Sequence, residues 1–220
     1  MRKRFLLAFV GLIAAGLLFR FLQTTTAEQR QKEMLQRVQD FVARQGSEKP
    51  VVLLGDSLVE HANFTPTICG RQVINAGYSG AVASGVLRLF EAFERIRFTP
   101  AVLVISVGVN DSIVVDRRPF AETYPDIAQR AGALGGKVFV VSLAPIAKSG
   151  SLADEIDRSR LSDIDRVIRQ TARDRAIPLI DVGTLRTQAN PLVADGVHLS
   201  QDGYATWTGT IETAINGQCP

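Results

Sequence analysis

Gly55-Asp56-Ser57 follows directly on Val51-Val52-Leu53-Leu54, and far downstream stands Asp195-Gly196-Val197-His198. Four apolar residues running into a glycine turn predict a buried strand that stops with a serine hydroxyl at the mouth of a sheet. A serine at its ordinary pKa attacks nothing. It needs an imidazole to take its proton and a carboxylate to orient that imidazole, and Asp195 and His198 supply both, three residues apart. Attack on an ester or amide carbonyl also places negative charge on the carbonyl oxygen, which hydrogen-bond donors must meet. Asn110, in Val107-Gly108-Val109-Asn110-Asp111, offers an amide NH₂, and Gly80, in Asn75-Ala76-Gly77-Tyr78-Ser79-Gly80, can bring a bare backbone N–H close to a substrate. With the N–H of Ser57 that makes three candidate donors.

The elements that would position these residues are legible as alternating patterns. Apolar runs at Val51–Leu54, Gln72–Asn75, Ala101–Val107, Lys137–Leu143 and Pro178–Val182 predict five strands. Between them, helical spacing covers Val82–Ile96, Phe120–Leu134, Leu152–Arg175 and Gly203–Ile215. Continuous Val/Ile/Leu strands separated by helices predict an α/β fold, a three-layer αβα sandwich around a five-stranded parallel sheet. In such sheets the ligand crevice lies beyond the carboxyl ends of the strands. Ser57, Gly80, Asn110 and the Asp195/His198 pair each follow a different strand, so four separated segments are expected on one rim.

On these residues the chain resembles the SGNH hydrolases, the GDSL family of serine esterases and lipases. Gly55-Asp56-Ser57 matches the first family block, Gly80 the second, Gly108-Val109-Asn110-Asp111 the third and Asp195-Gly196-Val197-His198 the fifth. The likeness runs from about Pro50 to Ile215, with the blocks in family order, whereas Leu58 and the intervening loops depart from the pattern. The resemblance implies a flavodoxin-like fold with Ser57 as nucleophile, His198 as general base and then acid, and Asp195 as its orienting carboxylate. Ser57, Gly80 and Asn110 would form the oxyanion hole, and acyl-enzyme formation followed by hydrolysis would need no cofactor.

Each residue has a plainer reading. Ser57 can cap the helix that follows it, His198 can be a surface histidine, and Asn110 can hold its loop by side-chain-to-backbone bonds. For Asp56 and Asp111 the structural reading is preferred, as braces of their turns. Gly77 and Gly85 read as conformational or packing glycines. His61, four residues after Ser57, would share its face of a short helix and touch substrate, but it lacks a spaced carboxylate, with Glu60 pointing elsewhere on the helix. Two histidines, two distant cysteines and no H-E-x-x-H pattern predict no zinc site, and Gly80 to Gly85 lacks the Lys-Ser/Thr of a phosphate-binding loop.

A chain of 220 residues with 46% hydrophobic and 21% charged residues suits one well-packed domain. The formal charge of +3 becomes −1 once Arg2, Lys3, Arg4 and Arg20 are set aside, so the body lacks the basic stripe that nucleic acid requires. Those four residues flank or interrupt an apolar run from Phe5 to Leu22 whose length, roughly 27 Å as a helix, falls just short of about 30 Å of hydrocarbon. Residues 1–26 therefore read as an uncleaved signal anchor, or alternatively as a signal peptide removed near Thr25 and Ala27. Ala27–Arg44 is an amphipathic helix that either packs on the domain or serves as a stalk, residues 27–49 in all forming a linker to a hydrolase domain over 50–218. The expected location is the bacterial periplasm or cell surface, with the body tethered to the membrane by this one segment. An oxidising compartment permits a disulfide between Cys69, ahead of the second strand, and Cys219, at the end of a helix returning to the same end of the sheet; two unrelated cysteines is the equal alternative. The expected substrate is an acylated small molecule or glycan, first an O-acetyl ester on an extracytoplasmic glycan. A lipid ester or thioester, acyl transfer on the same fold, and a non-catalytic glycan-binding module are the alternatives.

Overall fold

The computed structural model describes residues 28–44, 48–114 and 118–220. The expected anchor over 1–26 and the cleavage site near Thr25 and Ala27 lie outside the described residues; among the described residues no helix is long and apolar enough to cross a membrane.

Strands β1 (Val51–Gly55), β3 (Arg71–Gly77), β4 (Val102–Ser106), β5 (Lys137–Val141) and β6 (Leu179–Ile180) form the expected parallel sheet. A two-residue strand, β2 (Thr67–Ile68), pairs antiparallel with β3 at one edge, giving the order β2-β3-β1-β4-β5-β6. The sheet thus has six strands among the described residues rather than the expected five, and is not wholly parallel. Two residues are too short to carry a period. The turn that makes the hairpin is Cys69-Gly70, with φ of 54° and 68°, the left-handed pair that matches strand twist in a two-residue loop.

Both faces of the sheet are covered, which is why its strands read as continuous apolar runs. Successive side chains alternate: Val52, Leu54, Leu103 and Ile105 enter one core, and Val51, Leu53, Val102 and Val104 the other. Over the first face lie α1 (28–44), α3 (Ala83–Arg95), α4 (Phe120–Ala133) and α5 (Arg158–Asp174). The second face is covered by α2 (Ser57–Glu60) and α6 (Gln201–Asn216), whose Trp207, Ile211 and Ile215 are fully buried. Helix α1 takes the packed alternative rather than that of a free stalk, burying Met34, Val38 and Phe41 in the same core as Phe90 and Phe93.

The single helix expected over Leu152–Arg175 is interrupted. Ala153–Glu155 forms one 3₁₀ turn, and α5 starts afresh at Arg158, where the Asp157 carboxylate accepts from the Arg160 N–H at 3.0 Å. An aspartate in that role is an N-cap, and it marks a helix start that apolar spacing passes over.

Candidate active site

Strand register brings the site together. Gly55 pairs with Gly77 on one side and Ser106 on the other, so three strand ends stand level. Ser57 lies two residues past its strand, Gly80 three past Gly77 and Asn110 four past Ser106. The chain order of the parallel strands reverses across β1, and the crevice at such a switch point is where open α/β sheets bind ligands.

Ser57 is the first residue of α2, and the N-cap is Asp56, whose carboxylate accepts from the Leu58 N–H at 2.9 Å. The capping reading of Ser57 is thereby taken by its neighbour, and the serine hydroxyl engages His198 instead. Nε2 of His198 stands 2.8 Å from Ser57 Oγ, and Nδ1 stands 2.7 Å from Asp195 Oδ2. An ionised carboxylate only accepts, so Nδ1 carries the proton and Nε2 is left to accept from the hydroxyl. Asp195 is fixed in turn, its other oxygen accepting the N–H groups of Val197 and His198 at 2.8 and 2.9 Å. Its partial burial works against ionisation, but those two N–H bonds and the imidazole prevail and hold its carboxyl below the usual aspartate range. The three side chains form a relay through which an imidazole can take a hydroxyl proton while its new charge is met by a carboxylate.

Gly80 has φ of 80°, in the left-handed region, at the turn between β3 and α3. Asn110 reaches that turn: its Nδ2 donates to Ala81 O at 3.0 Å, which ties the second and third sequence blocks together and uses one of its two N–H groups. That leaves the second N–H of Asn110 on the same rim as the backbone N–H groups of Ser57 and Gly80. Asp111 is structural, as expected. Its carboxylate accepts from the Ala83 N–H at 3.0 and 3.2 Å, capping α3 where Val82 has no side chain able to do so.

His61 ends α2 and is half-exposed, with its ring centroid 5.5 Å from that of His198. Its backbone N–H donates to the Ser57 carbonyl at 3.0 Å, closing α2. Its ring makes no bond to the Ser57 hydroxyl and has Nε2 4.0 Å from Glu60 Oε2, nearer than expected from sequence. Sequence reasoning missed Glu60, which turns toward the Gly80 loop: Oε2 accepts the Ser79 N–H at 2.7 Å and the Ser79 hydroxyl as well. Nothing in the spacing of Glu60 and Ser79 signals this pairing. It depends on α2 lying against the end of β3, where a Cβ on Gly77 would strike the backbone of Val59 and Glu60. Asp56 is fully buried beneath the serine. Burial raises its carboxyl to about 6, against the opposing pull of the Leu58 N–H and the nearby His198.

A family model of GDSL-like lipases and acylhydrolases matches residues 44–206, most of the chain. The chain belongs to that family. It is a carboxylic ester hydrolase, as the sequence blocks implied. Among curated proteins, none matches this esterase. Among solved structures, a lipase/acylhydrolase from Enterococcus faecalis is 24% identical with a TM-score of 0.61, covering 78% of this chain and 97% of its own. A putative platelet activating factor protein from Streptococcus pneumonia reaches a TM-score of 0.70 at 15% identity, covering 93% of this chain and 99% of its own. An acetylxylan esterase from Geobacillus stearothermophilus, solved as a catalytic mutant, gives 0.59 at 18% identity, over 77% of this chain and 95% of its own. At these identities the likeness shows the fold, which the esterase shares with all three.

Proposed function

We propose that Ser57 is the nucleophile of this esterase, His198 its general base and then acid, and Asp195 the carboxylate that orients His198. The observation that carries this reading is the unbroken relay of 2.8 and 2.7 Å from Ser57 Oγ through His198 to Asp195. Ser57 Oγ adds to the ester carbonyl as Nε2 takes its proton, and the N–H groups of Ser57, Gly80 and Asn110 receive the oxyanion. Collapse expels the alcohol, which takes the proton from His198 and leaves an acyl-serine. Water then adds with His198 again as base, and a carboxylic acid and free Ser57 result.

The substrate we assign is an O-acetyl ester on a glycan outside the cytoplasm. Acetylxylan esterases among the structural relatives support the acyl group. The disulfide between Cys69 and Cys219 and the apolar run after Arg2-Lys3-Arg4 support an exported body held at the membrane by residues 1–26, in the periplasm or at the cell surface.

Hydrolysis of p-nitrophenyl acetate by the purified chain, beside Ser57→Ala, tests the assignment. The substitution is expected to lower kcat by about 10⁴-fold or more, since removal of a nucleophile disables the whole relay. Equal turnover by both proteins would remove Ser57 from the mechanism.

A further inference from the structure

Helix α1 runs toward the catalytic rim at its N-terminal end. Near its C-terminal end, Arg44 borders a groove with Gln72 and Val73 at the start of β3. Earlier in the helix, Arg37 Nη2 donates to Gly77 O at 3.4 Å, at the end of that strand. The helix is therefore antiparallel to β3, and its first turns continue past the strand's end. There Gln31 Nε2 donates to Gly85 O at 2.8 Å, in the first turn of α3, the end that Asp111 caps beside Asn110. Glu28, the first described residue, thus stands at the end of the sheet, beyond the carboxyl ends of the strands, where Ser57 and His198 also lie.

The apolar run of the sequence ends at Leu22, six residues before Glu28. Six residues span at most roughly 20 Å however they are arranged. With residues 1–26 as the anchor proposed above, that reach keeps the rim end of α1 within about 20 Å of the bilayer. A separate observation concerns the surface itself. The large hydrophobic residues exposed among the described residues are Val114 and Val193, at 50% and 43%, and both stand on this rim. Val114 follows the turn that holds Asn110, and Val193 lies beside His198, its N–H donating to the His198 carbonyl at 2.9 Å.

We infer that the mouth of the active site faces the membrane, and that the esterified glycan it takes is a lipid-linked saccharide presented at the bilayer surface rather than a distant polymer. This rests on the proposed anchor and on the proposed serine chemistry. The two exposed valines then meet the lipid interface around a saccharide head that reaches Ser57.

The test uses the full chain in phosphatidylcholine vesicles containing a nitroxide-headgroup phosphatidylcholine, with the native disulfide oxidised. A fluorophore is placed at Val114→Cys, at Val193→Cys, or at Thr99→Cys, an exposed position at the opposite end of the sheet just before β4. Quenching several-fold stronger at 114 and 193 than at 99 is the expected result; equal quenching, or stronger quenching at 99, overturns the orientation. In the same vesicles, an acetylated glycolipid should be deacetylated several-fold faster than the matching soluble acetylated sugar. Equal rates, or a preference for the soluble sugar, overturn the substrate assignment. A chain that fails to sediment with vesicles yet hydrolyses p-nitrophenyl acetate overturns the inference through the anchor, which separates that failure from any failure of the Ser57 assignment.

Discussion

Two carboxylates near Ser57 have opposite environments, and their roles follow from that. Asp195 is held ionised by N–H donors and imidazole; Asp56 is buried, capping α2, with its carboxyl raised to about 6. The folded state therefore binds a proton at Asp56 that the unfolded chain, at its ordinary 3.8, has already lost. Stability from this group is complete below about 3.8 and declines as pH rises to about 6, by an amount on the order of 3 kcal/mol. Asp56→Asn keeps a capping oxygen and removes the titration, so urea unfolding of the variant should show a flatter profile than wild type between about pH 4 and 6; parallel profiles would assign the slope to other groups. Asn110 allows a second prediction. Its amide donor matters where charge develops on the oxyanion, so Asn110→Ala should lower kcat by about 10²- to 10³-fold with little change in KM. A change confined to KM would place the side chain in ground-state binding. At this scale residue type and spacing brought Ser57, Asp195 and His198 forward from sequence, and the structure places the three side chains within hydrogen-bond reach of one another. Glu60 escaped because its partner, Ser79, is set by a helix resting on a strand end.

Among the secondary-structure elements, those with a strong apolar period were found within a few residues of their bounds. The misses have local causes: β2 is made by a left-handed Cys69-Gly70 turn, and α5 is restarted by the Asp157 cap. Helix α1 presented two alternatives that its amphipathic pattern alone leaves equal, since a helix with an apolar face needs some cover but not a particular one. Its burial of Met34, Val38 and Phe41 in the core it shares with Phe90 and Phe93 makes it part of the domain. Phe41→Ala should therefore lower unfolding stability by about 3–5 kcal/mol, measured by urea denaturation. A loss near zero would mean that α1 is a detached stalk.

For the molecule as a whole, the Cys69–Cys219 disulfide joins the β2–β3 hairpin to the C-terminus across 150 residues. A link over so long a loop restricts the unfolded chain, and replacing both cysteines by serine should lower stability by about 2–4 kcal/mol. A melting temperature unchanged by the double substitution, and unaffected by reductant in the parent, would show the link to be absent in solution. The cores on the two faces of the sheet do not depend on it, so the double variant should keep the native fold at moderate temperature. The sequence by itself determined the αβα class and the family blocks, because a parallel sheet covered on both faces demands uninterrupted apolar strands and because ester chemistry demands a hydroxyl, an imidazole, an acid and amide donors. It left open whether the two cysteines meet, whether α1 packs and what Glu60 touches. Those were decided only by the tertiary structure, through register and helix docking, which act between residues that no local pattern connects.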